Sequence, residues 1–388
     1  NHSETHASSC HLSTFESWFA AHGQRRFFAT YIPLGFKKSS QAIQSMSSWN
    51  RASLGYELVN AAKRDDVKAV DKFIKDGADI DFDDYNSWGT ALMWSSEKGN
   101  LSTVKRLVEA KAKVNIGDQR IGGTALYWAA CRGQLPVIAW LINEANAEVE
   151  ASNKNGATPL YLAAQCGHLS VVRWLVTRAK ANVEAAIKTG ASTGATPLCI
   201  ASEKGHLPVV KWLVKEAKAQ VDGENKKPLM YAALGGHLPV AKWLVTEAKA
   251  KVEATNKKGS TALHVAAEYG HLPLVQWLID EGNAKPDTPN NGGNTPLMFA
   301  ALNDHFEVVH WLIRSVNANP LIEGSDGNAI QLARGKKYGP VLACLEAEAE
   351  SRVMKAVERD LGSVFMLHPM ISDYARRTSK THKDDNQS

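Results

Sequence analysis

The chain has 388 residues, 44% of them hydrophobic, and 45 Lys and Arg against 40 Asp and Glu give a net charge of +5. There is apolar material for a folded core, but no run of 18 apolar residues marks a membrane span, and so mild a basic excess lacks the concentrated charge of a dedicated nucleic-acid binder. Five cysteines, an odd number with no pair at metal-ligand spacing, read as reduced thiols in an intracellular protein.

Residues 1–54 form a basic, Ser-rich flank. Five basic residues (Arg25, Arg26, Lys37, Lys38, Arg51) stand against Glu4 and Glu16. Residue 1 is Asn, which implies a processed or incomplete start. Arg25-Arg26-Phe27-Phe28-Ala29-Thr30 has the arginine-rich, acid-poor character of an organelle leader. Two readings stand: a disordered flank of a cytoplasmic protein, or a targeting segment for a mitochondrion or other organelle.

From Gly55 onward one phrase recurs. The aliphatic residue at its head falls at Leu58, Leu92, Leu126, Leu160, Leu198, Leu229, Leu263, Leu297 and Ile330, at spacings of 34, 34, 34, 38, 31, 34, 34 and 33 residues. These positions number the units 1 to 9. A period near 34 means an array of small units that cannot bury their apolar faces singly and do so by stacking.

Each unit predicts two short helices. In unit 7, Thr261 is placed to cap the first, and sister units put Pro159, Pro197 and Pro296 at the first helical position, where a missing N–H costs nothing. Leu263, Ala266 and Ala267 mark the apolar face, and Gly270 ends the helix. The second helix, from Leu272, carries its apolar residues at spacings of three and four. At its end stand Gly77, Asn146, Asn283 and Asn317, or else Lys111, Lys180, Lys218 and Lys249. Gly and Asn suit a left-handed terminus. Lys suits it less well, so either those helices run one residue further or strain is tolerated.

Three columns follow the repeat. His168, His206, His237, His271 and His305 lie too far apart to share a metal, because adjacent helices sit roughly 10 Å apart and zinc needs its nitrogens about 2 Å away. They read as hydrogen-bonding residues of the turn between helices. Trp140, Trp174, Trp212, Trp243, Trp277 and Trp311 read as packing between second helices. Trp94 and Trp128 stand where other units have smaller residues, large enough to reach the concave surface.

The middle of the array departs from the pattern. Unit 4 carries extra length around Lys188–Thr193 and unit 5 is shortened around Asp222–Asn225. Unit 6 opens with Lys227 in place of the capping Thr, a loss worth about 1 kcal/mol. This region is expected to open most readily. Unit 9 is degenerate and Pro340 to Glu350 forms a charged closing helix, as array ends require. The array thus spans 55–350, and residues 351–388 are expected to form a short amphipathic helix and a disordered tail.

The phrase resembles that of ankyrin repeats. T-P-L-H-x-A-A-x-x-G-H is matched by Thr158 to His168 with Tyr161 for His, by Thr196 to His206 with Cys199 for His and Ser202 for Ala, and by Thr261 to His271 with Ala262 for Pro. V-V-K-x-L recurs as Val209-Val210-Lys211-Trp212-Leu213. The resemblance implies an all-α, helix-turn-helix solenoid of about eight to nine repeats, with β-hairpin-like finger turns projecting beside a concave groove. It implies a non-enzymatic scaffold that binds a protein partner. Two alternatives stay open: a structural subunit of a larger, organellar assembly, or the repeat fragment of a longer enzyme or signalling protein.

In the family the residues after the alanine pair face the groove. Here those chosen as binding candidates are Glu97, Lys98, Arg132, Gln165, Glu203, Lys204, Glu268, Tyr269 and Asn303. The finger turns add Tyr85, Trp88, Lys154, Lys188, Lys226, Lys227, Lys257 and Lys258. Trp88 is a natural anchor, since interface hot spots favour Trp, and the finger lysines suit an acidic partner surface. Asn115 resembles the asparagine that ankyrin units present for hydroxylation, or is a plain turn residue. No phosphate loop, nucleophile elbow, catalytic residue, metal site or cofactor is expected, nor a nucleic-acid partner; the chain alone is expected to be a monomer.

Overall fold

Threonine and proline at each phrase head start a helix for a local reason. Thr90, Thr124, Thr158 and Thr196 hold extended backbone and their hydroxyls accept the N–H three residues on, from Met93, Tyr127, Tyr161 and Cys199. A computed structural model shows the result and describes residues 53–83, 89–190, 193–223 and 227–355. First helices run over 53–63, Ala91–Lys98, Ala125–Cys131, Pro159–Gln165, Pro197–Glu203, Pro228–Leu234, Ala262–Glu268, Pro296–Leu302 and Ala329–Lys336. Second helices run over Val67–Lys75, Leu101–Glu109, Leu135–Asn143, Leu169–Thr177, Leu207–Lys215, Leu238–Thr246, Leu272–Asp280, Phe306–Arg314 and 339–355. Among the described residues there is no strand; Gly324 and Gly327 form an isolated bridge.

From Ala91–Lys98 to Pro296–Leu302 each first helix packs on the next first helix and on its own second helix, and second helices touch across most unit boundaries. The alanine pairs allow this close approach: Ala129, Ala130, Ala163, Ala164, Ala266 and Ala267 have no exposed surface. The head leucines Leu58, Leu126, Leu160, Leu198 and Leu263 are equally buried, and one apolar cluster runs unbroken from Leu58 to Leu345. Each such leucine contributes about 1.5–3 kcal/mol of burial. Trp243 and Trp277 are buried, while Trp140, Trp174, Trp212 and Trp311 are half-buried against the same cluster.

The histidine column joins neighbouring units rather than the two helices of one unit. His168 Nε2 donates to the Cys131 carbonyl at 2.9 Å, His206 to Gln165 at 2.9 Å, His271 to Leu234 at 3.0 Å and His305 to Glu268 at 2.8 Å. Each ring lies on the glycine of the preceding unit, and a Cβ on Gly167 (φ +77°) would stand 2.6 Å from the His206 ring. Asn100 and Gln134 make the same bond in the early units, to the Ala62 and Glu97 carbonyls.

A second set of links runs through the turns. The side chains of Asp81, Asn115, Glu150, Glu184, Asp222, Glu253 and Asp287 accept the backbone N–H of Lys113, Glu148, Asn182, Gln220, Lys251, Lys285 and Asn319 in the next unit. Asn115 is therefore one rung of a continuous ladder. The finger tips are also tied: the N–H groups of Lys154, Lys188, Asn291 and Ser325 donate to the carbonyls of Ile121, Asn155, Lys258 and Gly292 on the preceding finger. The lysine termini resolve as left-handed residues, with φ of +73°, +59°, +57° and +59° at Lys111, Lys180, Lys218 and Lys249.

Candidate functional site

The repeat places two rows of variable side chains on a constant frame. One row lies where the first helices end; the other lies on the finger turns. Both are set by the same chain geometry, since the capping Thr fixes the helix start and seven or eight residues later the helix stops.

The first row is largely self-neutralised. Arg132 of unit 3 bonds Glu97 of unit 2 at 2.7 Å, and Lys204 bonds its neighbour Glu203 at 2.9 Å. Lys98 is exposed and Gln165 half-buried. Burial pushes the Glu268 carboxyl up, against the opposing pull of the Lys258 ammonium. Tyr269, 45% exposed, stacks flat on His271 with ring centroids 6.5 Å apart. Asn303 turns its amide back to the Phe299 carbonyl at 2.9 Å and closes its own helix.

Beneath this row lie tyrosines absent from the sequence-derived site. Tyr127 and Tyr161 occupy the third helical position, where they are buried, and burial pushes both phenols up. Tyr231 is half-buried and is pushed up to about 12. Tyr127 accepts a hydrogen bond from the Asn153 amide at 3.2 Å, and among the described residues the hydroxyls of Tyr161 and Tyr231 have none. Trp94 and Trp128 are half-buried against the core, and the Lys63 ammonium lies 3.8 Å above the Trp94 ring. Their size, legible in the sequence, signals that this side of the early units is aromatic.

The finger row is basic. Lys188, Lys257 and Lys258 are exposed and Lys227 is half-buried. Lys154 is exposed too, but its ammonium caps the Gln119 and Arg120 carbonyls of the preceding finger, which makes it a structural tie as well as a charge. Tyr85, Trp88 and Lys226 lie outside the described residues, and so does any test of Trp88 as an anchor.

Two cysteines meet in the first row. Cys131 Sγ and Cys166 Sγ are 3.7 Å apart across units 3 and 4. Their shared hydrogen bond, and then burial, push the Cys131 thiol up, while the Arg132 guanidinium pulls it back. Their separation of 35 residues matches the repeat to within one, which is the sequence signal that pairs them. Among the described residues no group of three or more His, Cys, Asp or Glu could hold a metal ion, and no helix is long and apolar enough to cross a membrane.

The family model for ankyrin repeats (three copies) matches residues 58–153, 113–187, 181–256 and 248–323. These matches overlap end to end and take in units 1 to 8. Comparison with curated proteins gave no match.

Proposed function

The chain belongs to the ankyrin repeat family, whose members are generally protein-interaction modules, and from that premise we propose that it is a non-enzymatic scaffold for a protein partner with an acidic surface. The partner lies along the first-helix ends and the fingers. The observation that carries this is a difference in charge state between the two rows. Two of the three acids of the first row, Glu97 and Glu203, are held by Arg132 and Lys204, and the third, Glu268, is half-buried under the pull of Lys258, whereas Lys188, Lys257 and Lys258 stand exposed on the fingers. Charges already paired cost less to cover with a partner, and exposed cations of one sign steer an oppositely charged surface and raise its association rate.

The test starts from affinity purification of the tagged chain, which should return a protein in fixed ratio to it. Association of that protein should slow about tenfold in a Lys257→Glu, Lys258→Glu double variant and lose its salt dependence. Recovery of no stoichiometric protein, or a double variant that associates at the wild-type rate, overturns the proposal.

A further inference from the structure

Cys131 is the last residue of one first helix and Cys166 the C-terminal cap of the next, and their sulfurs touch at 3.7 Å. Both side chains are half-buried rather than sealed in the core, unlike Cys199, which has no exposed surface. The pair is not an accident of one repeat position recurring. Cys131 is the first residue after its alanine pair and Cys166 the second. The sulfurs of a disulfide stand about 2.05 Å apart, so side-chain rotation has to close about 1.6 Å to reach that bond length.

The geometry points to a dithiol–disulfide site between units 3 and 4, oxidised by a low-molecular-weight disulfide of the glutathione class. One protein thiol, as thiolate, attacks a sulfur of the small disulfide. That S–S bond breaks, the first small thiol leaves and takes up the proton, and a mixed disulfide remains on the protein. The second protein sulfur then attacks the protein sulfur of the mixed disulfide, giving up its proton to the second small thiol as that leaves. The protein pair loses two electrons and two protons, and the small disulfide gains both. The second step is fast because its nucleophile is already in contact. The first is slow, because the shared hydrogen bond and burial keep thiolate scarce. The site therefore follows the standing ratio of thiol to disulfide rather than a brief oxidant pulse. Its product staples the ends of two consecutive first helices, beside Arg132 and Gln165, so it alters the surface assigned above to a partner. The exchange chemistry itself does not depend on that assignment.

The test equilibrates the full native chain with reduced and oxidised glutathione at a series of ratios. Reaction is stopped by alkylation, and peptides are mapped by mass. A Cys131–Cys166 linkage should rise with the oxidised fraction, with no glutathione held on either residue. Cys166→Ser should leave glutathione on Cys131, and Cys131→Ser should leave it on Cys166. Cys344, half-buried elsewhere in the stack, should carry a lasting adduct in all three proteins. The oxidised wild type should melt at a higher temperature than the reduced protein, and neither variant should show that rise. Stable adducts on both residues of the wild type, failure of either residue to react, or linkage that appears only in denaturant would each overturn the proposal. Partner binding enters none of these readings, so failure here leaves the scaffold function standing, and the reverse holds too.

Discussion

The imidazole of His264 is 1% exposed, and both its nitrogens are engaged. Nδ1 accepts the Thr261 N–H at 3.1 Å, and Nε2 donates to the Asn294 carbonyl at 3.1 Å, which fixes the neutral ring. Burial holds its pKa below the ordinary 6.5. As pH falls the unfolded chain takes up this proton first. Stability is therefore complete above about pH 6.5 and declines below it, toward the lower folded value. Replacing His264 by Gln keeps an acceptor for the cap, as Gln331 serves Asn328 at 3.0 Å. Urea unfolding across this range should show a shallower decline in the His264→Gln protein; an equal slope would place the effect elsewhere. His237, also held down by burial, keeps the slope from vanishing. The lysine termini give a second residue-scale test. A left-handed L-residue costs about 1–2 kcal/mol, yet Lys218 and Lys249 return their ammonium groups to the Lys215 and Thr246 carbonyls at 2.6 and 2.7 Å, capping the helix they end. Lys111 makes no such bond among the described residues, so Lys111→Asn should stabilise by about 1 kcal/mol and Lys218→Asn by less. Equal shifts in the urea midpoint would deny the lysine cap any role. Of the two alternatives the sequence raised here, the left-handed φ at all four lysines, with or without the ammonium bond, selects tolerated strain over a longer helix.

At the scale of the helix and turn, what was readable is what is local. The Thr caps, the Pro starts and the alanine faces depend on residues within four positions of one another, and the helices begin where those signals stand. Lys227 is the instructive exception. It stands where the other units have a capping Thr, and it makes no side-chain bond to its helix, with ψ at 81° where the Thr caps lie near 165–176°. Lys227→Thr should raise stability by about 1 kcal/mol or somewhat less, measured as a shift of the urea midpoint; no gain would mean that the shortened turn forbids the extended cap geometry. The links between units were harder to see. The column Asp81, Asn115, Glu150, Glu184, Asp222, Glu253, Asp287 recurs in plain view. Nothing within one unit says that its oxygen meets an N–H some 30 residues on, since that depends on how units stack. The histidines escape a local reading for the same reason: the sequence places their bonds in the turn of their own unit, and the stack carries them to the unit before. The Cys131–Cys166 contact arises likewise from the stack, between positions that are not equivalent in the repeat.

Across the whole array each unit touches only its neighbours, so stability is close to a sum of unit terms and interface terms. A weak unit then opens without the rest. Unit 6 is the candidate. Its first helix has no side-chain cap, and it follows the shortened unit 5. Hydrogen exchange followed by mass spectrometry should therefore find the helix Pro228–Leu234 less protected than Pro159–Gln165 or Ala262–Glu268, and urea should unfold the array in more than one phase. The Lys227→Thr substitution should narrow that gap, because it strengthens one unit term and leaves the interfaces alone. Uniform protection from unit 2 to unit 8, with a single urea transition, would mean that the interface terms dominate and couple the stack into one cooperative block. In that case the irregular turns of units 4 and 5 are neutral differences in length. If the gap is found, the same looseness separates Lys188 from Lys257 and Lys258, and the two halves of the basic finger row can shift to fit a partner that is not straight.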